Sequence, residues 1–174
     1  MPVERSSRRV ASKRLEQLAR ELLGASPLFA LATVGPGGRA HVNTAYFAAS
    51  PAFEVIWLSA PEARHSANLR VNSSAAAAVY DSTQTWGGHD RGIQLFGSAR
   101  ELRGRASAEA ERLYAERFPR FRSMDLPAYR WYRLRPRRLK LFHEPDLGRG
   151  IFVTAAVRAG GRLVWSRTDV YAAA

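Results

Sequence analysis

Leu28-Phe29-Ala30-Leu31-Ala32-Thr33-Val34, then Gly35-Pro36-Gly37-Gly38, then Arg39 to Ala48 is the stretch that decides the fold. An apolar run of strand length meets a turn built of glycine and proline, and a second extended run follows. That pattern predicts a β-hairpin. Downstream, Ser50-Pro51 interrupts and Phe53 to Ser59 reads as a third strand. Pro61, with Glu62 beside it, suits the first turn of a short helix to Val71. Ala75 to Asp81 reads as a buried strand, Thr83 to Arg91 as a loop around Trp86-Gly87-Gly88, and Gly92 to Leu102 as a long strand. Ser107 to Phe118 predicts an amphipathic helix capped by Ser107. Tyr129 to Leu134 and Arg138 to His143 read as two strands divided by Pro136. Ile151 to Val157 and Arg162 to Ser166 form a last hairpin around Gly160-Gly161.

Upstream of the first hairpin, Val10, Leu15, Leu18, Leu22 and Leu23 fall at helical spacing and Gly24 supplies the stop. Residues 1–9 are polar and expected to be flexible. The sum is a single domain over 1–174 with six to eight antiparallel strands and two or three helices at their edges. This is a mainly β (α+β) chain, a barrel or a sandwich. No strand–glycine-loop–helix unit of the dinucleotide type appears.

Composition narrows the function. With 174 residues, 46% hydrophobic and 24% charged, the chain can bury a real core. It has no cysteine, which removes disulfides, thiol nucleophiles and thiolate metal sites. No apolar run reaches the roughly 18 residues of a membrane span. Met1 to Leu23 lacks the apolar centre of a secretory signal, so a cytoplasmic protein is expected. The net charge is +12, and all but two of the 27 basic residues are arginine. They are spread along the chain, so the surplus reads as composition, and neither nucleic acid nor membrane is expected as a partner.

The segment Trp57-Leu58-Ser59-Ala60-Pro61-Glu62-Ala63-Arg64-His65-Ser66-Ala67-Asn68-Leu69 carries the chemistry. A strand ends in a hydroxyl, and a helix follows with Arg64 and His65 in its first turns. Free backbone N–H groups, a hydroxyl and a guanidinium together make a phosphate cradle. The plainer alternative leaves Ser59 as a cap and Arg64 as a surface residue. His41, His65, His89 and His143 are too scattered for a metal motif, and no metal site is expected. Ser66, Ser82 and Thr83 have no convincing His/Asp pair, so hydrolase chemistry has no support.

At these residues the chain resembles a family. The hairpin Leu31 to Val42, the segment Trp57 to Leu69 and the strand Gly92-Ile93-Gln94-Leu95-Phe96-Gly97-Ser98-Ala99-Arg100 are similar, in order and spacing, to the flavin-binding split β-barrels typified by pyridoxamine 5′-phosphate oxidase. The resemblance runs from about Leu15 to His143. It implies an antiparallel split β-barrel that pairs as a homodimer, with FMN in a groove between subunits. Ser59 and Arg64 match the family's phosphate-binding positions, and His65 stands where lysine is usual. Asn68 sits where Gln or Asn is common. Asn43-Thr44-Ala45-Tyr46-Phe47-Ala48 matches a strand that carries Arg and Lys at its two ends in the family. Both cations are absent here, which implies weaker phosphate binding.

The resemblance further implies ring contacts from Asn43, Thr44, Ala45 and Gln94, an apolar floor from Trp57 and Leu58, and a cover from Trp86. The family's Arg-x-His motif for pyridoxamine phosphate is not reproduced by Arg138-Leu139-Lys140-Leu141-Phe142-His143. The expected activity is an FMN-dependent oxidoreductase for another small-molecule substrate, with the redox chemistry supplied by the cofactor and no catalytic residue named. Two alternatives stay open. One is a deazaflavin-dependent reductase. The other is a flavin or haem carrier or sensor without turnover, with His65 or His143 as axial ligand.

Overall fold

A computed structural model of the chain describes residues 3–122 and 126–171. In chain order the elements are β1 (Val3–Ser6), α1 (Ser12–Gly24), β2 (Leu28–Val34), β3 (Ala40–Tyr46), β4 (Ala48–Ala49), β5 (Val55–Ser59) and α2 (Arg64–Val71). They continue with β6 (Ser74–Tyr80), β7 (Arg91–Glu101), α3 (Arg105–Arg117), β8 (Arg130–His143), α4 (Glu144–Leu147), β9 (Ile151–Val157) and β10 (Leu163–Tyr171). The strands follow the hydrogen-bond order β1-β10-β9-β8-β7-β6-β2-β3, with β4 joined to β8 through β5, in a sheet that does not close.

The described residues divide into two compact units. The first takes in the chain up to Ser26, Ala78–Phe96 and the chain from Arg137 on. The second comprises Pro27–Ala77 and Gly97–Pro136. β6, β7 and β8 each run from one unit into the other.

In the first unit α1 buries Leu15, Leu18, Ala19, Leu22 and Leu23 on one stripe. That is the face its i, i+3, i+4 spacing dictates. The unit's strands contribute Leu139, Leu141, Val153, Ala155 and Leu163, all fully buried. β1 pairs antiparallel with β10, Val3 opposite Tyr171 through Ser6 opposite Thr168. The expected flexibility of residues 1–9 thus gives way to an edge strand over 3–6, because the last strand extends to Tyr171 instead of ending near Ser166 and offers it a free edge. Residues 1–2 lie outside the described residues. Glu144-Pro145-Asp146-Leu147 forms a short helix that sequence reading did not anticipate.

In the second unit the β2–β3 hairpin has the expected register, from Leu28 opposite Tyr46 to Val34 opposite Ala40. Phe29, Leu31 and Thr33 point inward. Fully buried Trp57 stacks on Tyr132 at 5.6 Å and tilts against Phe29 at 5.5 Å. On the other face of β5, Ile56 packs with Trp131, Ala110 and Tyr114 beneath α3, and half-buried Leu58 joins them.

Three boundaries differ from expectation. The helix α2 begins at Arg64, because Pro61 and Glu62 lie in a turn closed by the Ala63 N–H donating to the Ala60 carbonyl at 3.2 Å. Ser107 does not cap α3. Gly104, at φ +56°, sets the entry, and Ser107 is already the third helical residue. Pro136 does not divide β8. It falls where the strand's partner changes from β5, ending at Leu134 opposite Val55, to β9, starting at Arg138 opposite Ala156. A residue without an N–H is tolerated between two ladders. Gly97 lies directly against this point, where a Cβ would collide with the Arg135 carbonyl and Pro136.

Candidate anion-binding site at the start of the second helix

β5 delivers Ser59 at its end, and the turn at 60–63 returns the chain into α2 with Arg64 and His65 as its first two residues. No side chain caps the helix. The N–H groups of its first turn therefore have no intrahelical acceptor and point along the positive end of the helix dipole. The turn and helix are locked by the Ser66 hydroxyl donating to the Ala60 carbonyl at 2.9 Å and by Arg70 donating to the Pro61 carbonyl at 2.7 Å. Buried Asn68 donates to Thr33 Oγ1 at 3.0 Å and so ties α2 to the first hairpin strand.

Ser59 Oγ lies 2.7 Å from His65 Nε2, and both residues are buried. The His65 ring stacks parallel to that of His41 at 6.4 Å. Burial, and second the neighbouring His41, push the His65 imidazole below its ordinary pKa. His65 is therefore a neutral partner of Ser59 near pH 7 and does not replace the expected lysine's charge.

Exposed Arg64 faces a groove of about 430 Å³ lined by Gly35, Pro36, Gly37, Arg39, Arg64 and Asn68. Its opposite wall is the turn of the β2–β3 hairpin. That turn can lie close because Gly35 has no side chain: a Cβ there would stand 2.9 Å from Asn68 Oδ1. The hairpin thereby adds Arg39, a second cation that sequence reading left among the dispersed arginines. Its only sequence signal was its place just after a glycine turn.

The other expected residues separate. Asn43 and Ala45 lie half-buried on the His41 face of β3, and Asn43 Oδ1 is buried without a hydrogen-bond partner. Thr44 is on the opposite, exposed face. Trp57 is fully buried in the core and Leu58 packs under α3, so neither supplies an open apolar floor. Trp86 and Gln94 belong to the first unit: Trp86 is fully exposed in a loop and Gln94 half-buried on β7. The structure thus brings Ser59 against His65 and Arg64 beside Asn68, places Asn43 and Ala45 on the face of β3 that carries His41, and adds His41 and Arg39.

The first unit holds a cluster of one histidine and two carboxylates that scattered positions in the sequence did not reveal. Buried His143 has Nε2 3.2 Å from Glu21 and Nδ1 2.8 Å from Asp146, and Arg14 pairs with Asp146. Ligand atoms of Glu21, His143 and Asp146 come within 4.8 Å of one another. This cluster links α1, β8 and α4.

The open antiparallel sheet of this topology defines a split-barrel protein, and the uncapped helix start beside a basic hairpin turn is its candidate anion site. The chain belongs to the pyridoxamine 5′-phosphate oxidase family, whose profile matches residues 15–143. Among solved structures it resembles a protein of unknown function from Agrobacterium tumefaciens at 21% identity, covering 76% of this chain and 57% of that one, with a TM-score of 0.63. A haem-binding protein from Mycobacterium smegmatis matches at 17% identity, over 88% of this chain and 61% of that one, with a TM-score of 0.67. A pyridoxamine 5′-phosphate oxidase-related, FMN-binding protein from Nostoc punctiforme matches at 10% identity over 89% and 93%, with a TM-score of 0.61. The chain thus spans less than two thirds of the first two proteins. These likenesses establish the fold. No curated protein gives a significant sequence match. Among the described residues no helix is long and apolar enough to cross a membrane.

Proposed function

We propose that this chain binds FMN as a homodimer and acts as an FMN-dependent oxidoreductase on a small molecule other than pyridoxamine phosphate. The observation that carries the reading is the groove in which Arg64, at the uncapped start of α2, meets Arg39 across the glycine-bearing hairpin turn. Two guanidinium groups and free helical N–H groups suit a phosphate ester. The donor set fits the cofactor's other end as well. Asn43 Oδ1 is a buried acceptor without a partner, and the edge of a flavin ring offers an N–H. When bound, the flavin supplies hydride transfer to or from the substrate. The chain's own residues hold the phosphate (Arg64, Arg39), orient the ring edge (Asn43) and fix the helix start through the Ser59–His65 contact.

A homodimer is supported by the outer face of the hairpin. Exposed Val42 and Thr44 stand opposite Ala32 and Ala30, leaving a flat surface of small side chains. Such a patch suits association. The haem alternative draws less support, because both histidines it relies on are engaged, His65 by Ser59 and His143 by Glu21 and Asp146.

The test is purification without added cofactor, followed by absorbance spectroscopy and turnover with reduced nicotinamide and a reducible acceptor. Bound flavin and flavin-dependent turnover are expected. A haem Soret band, or a colourless protein that takes up deazaflavin but not FMN, would overturn the cofactor assignment. Bound flavin without turnover would overturn the enzymatic part.

A further inference from the structure

We infer that a second groove, between the start of α3 and β8, is a binding site for a small phosphate-bearing anion, one that shares no residue with the groove at α2. Trp131, Arg133 and Arg135 alternate onto one face of β8. At the Trp131 end this face is sealed by Tyr114 and Ala110 of α3. At the Arg133–Arg135 end it opens into a cavity of about 740 Å³ whose other wall is the first two turns of α3. That size is ordinary for a small-molecule site.

Four arginines line the cavity: Arg105, Arg112, Arg133 and Arg135. The acidic groups among and beside them are Glu109 in the lining and Glu54, which takes Arg135 Nε at 2.8 Å and Arg133 Nη1 at a long 3.4 Å. Arg112 also pairs with Glu116, one turn on. With Glu54 and Glu116 counted, the lining and its partners carry four positive and three negative charges, a net positive surplus that attracts an anion. The thirteen-residue α3 adds its own positive end. Gly104 offers no side-chain cap, so the N–H groups of Arg105 and Ala106 have no intrahelical acceptor.

The independent sign of a missing ligand is Arg133 itself. It is 8% exposed, and its Nε is buried without a hydrogen-bond partner. A buried guanidinium with one N–H unpaired among the described residues and a 3.4 Å contact to Glu54 gains from a further acceptor. The Arg133 side chain lines the groove, and the planar fork of its guanidinium matches phosphate geometry.

Isothermal titration of the full chain with inorganic pyrophosphate at low salt tests this, run on the parent and on Arg64→Ala so that the α2 groove is weakened in the second. Saturable binding that survives Arg64→Ala, and weakens at least tenfold when Arg105→Ser and Arg112→Ser are combined with it, is expected. These two side chains are exposed, so their loss leaves the fold intact. Arg133→Met should abolish binding, with circular dichroism to verify folding. The proposal is overturned if Arg64→Ala removes all pyrophosphate binding, if the arginine changes on α3 have no effect, or if citrate displaces pyrophosphate at equal concentration.

Discussion

Replacing Arg64 by alanine removes the one cation that both the strand–helix turn and the groove geometry single out. Its guanidinium stands at the uncapped start of α2, and Arg39 alone then remains to meet a phosphate in the groove. A hydrogen bond to a charged partner is worth about 1.5–3 kcal/mol. At about 1.4 kcal/mol per factor of ten, that is a loss of roughly 10- to 150-fold in FMN affinity. Arg64 is exposed, so screening places the effect at the lower end near physiological salt and raises it at low ionic strength. The decisive comparison uses riboflavin, which keeps the ring and lacks the phosphate. Quenching of flavin fluorescence on titration gives both affinities. The parent should prefer FMN, and Arg64→Ala should erase most of that preference while leaving riboflavin affinity unchanged. Equal losses for FMN and riboflavin would refute the phosphate role, as would a parent that binds the two alike.

Ser59→Ala leaves His65 Nε2 buried without a partner and should cost about 1–3 kcal/mol of stability, read by urea denaturation; an unchanged midpoint would exclude that contact as a structural element. Because His65 is held below its usual pKa of about 6.5, the unfolded chain binds more protons there than the folded one. Stability should therefore fall as pH drops from about 6.5 toward the lowered folded value, and His65→Gln should flatten that fall. Gly97→Ala drives a Cβ into the Arg135 carbonyl, so the variant should lose several kcal/mol or fail to fold, and a thermal midpoint near the parent's would show that β7 and β8 can move apart there. Val42→Glu on the exposed hairpin face should convert a dimer to a monomer by light scattering, and an undisturbed dimer would move the interface elsewhere.

Periodicity carried most of the fold. The hairpin over 28–46 and α1 lie where alternation and i, i+3, i+4 spacing place them, because each has one buried face and nothing nearby to contest it. The boundaries that shifted did so for tertiary reasons that a local reading lacks. Pro136 looks like a break, yet it occupies the position where β8 changes partners, and no local signal reports which strand lies on either side. Val3–Ser6 looks too polar for a strand, and it is held by backbone pairing to β10, which is indifferent to side chains. Ser107 resembles a cap, but Gly104 reaches a backbone conformation that forces the helix to start earlier.

The candidate site divides along the same line. Ser59 and Arg64 were legible because strand end and helix start are adjacent in sequence, whereas Arg39 is twenty-five positions away and reaches the groove only through the hairpin register. The proposed anion site lacks the family's Arg at 43 and Lys at 48. His65 does not restore the charge, since burial and His41 keep it neutral. In the proposed site the second cation comes from the turn. Gly35 lets the hairpin approach Asn68, the Asn68–Thr33 bond fixes that approach, and Arg39 is thereby held across from Arg64. Gly35→Ala, which touches no charge, should therefore weaken FMN binding while sparing riboflavin, by displacing one wall of the groove from the other.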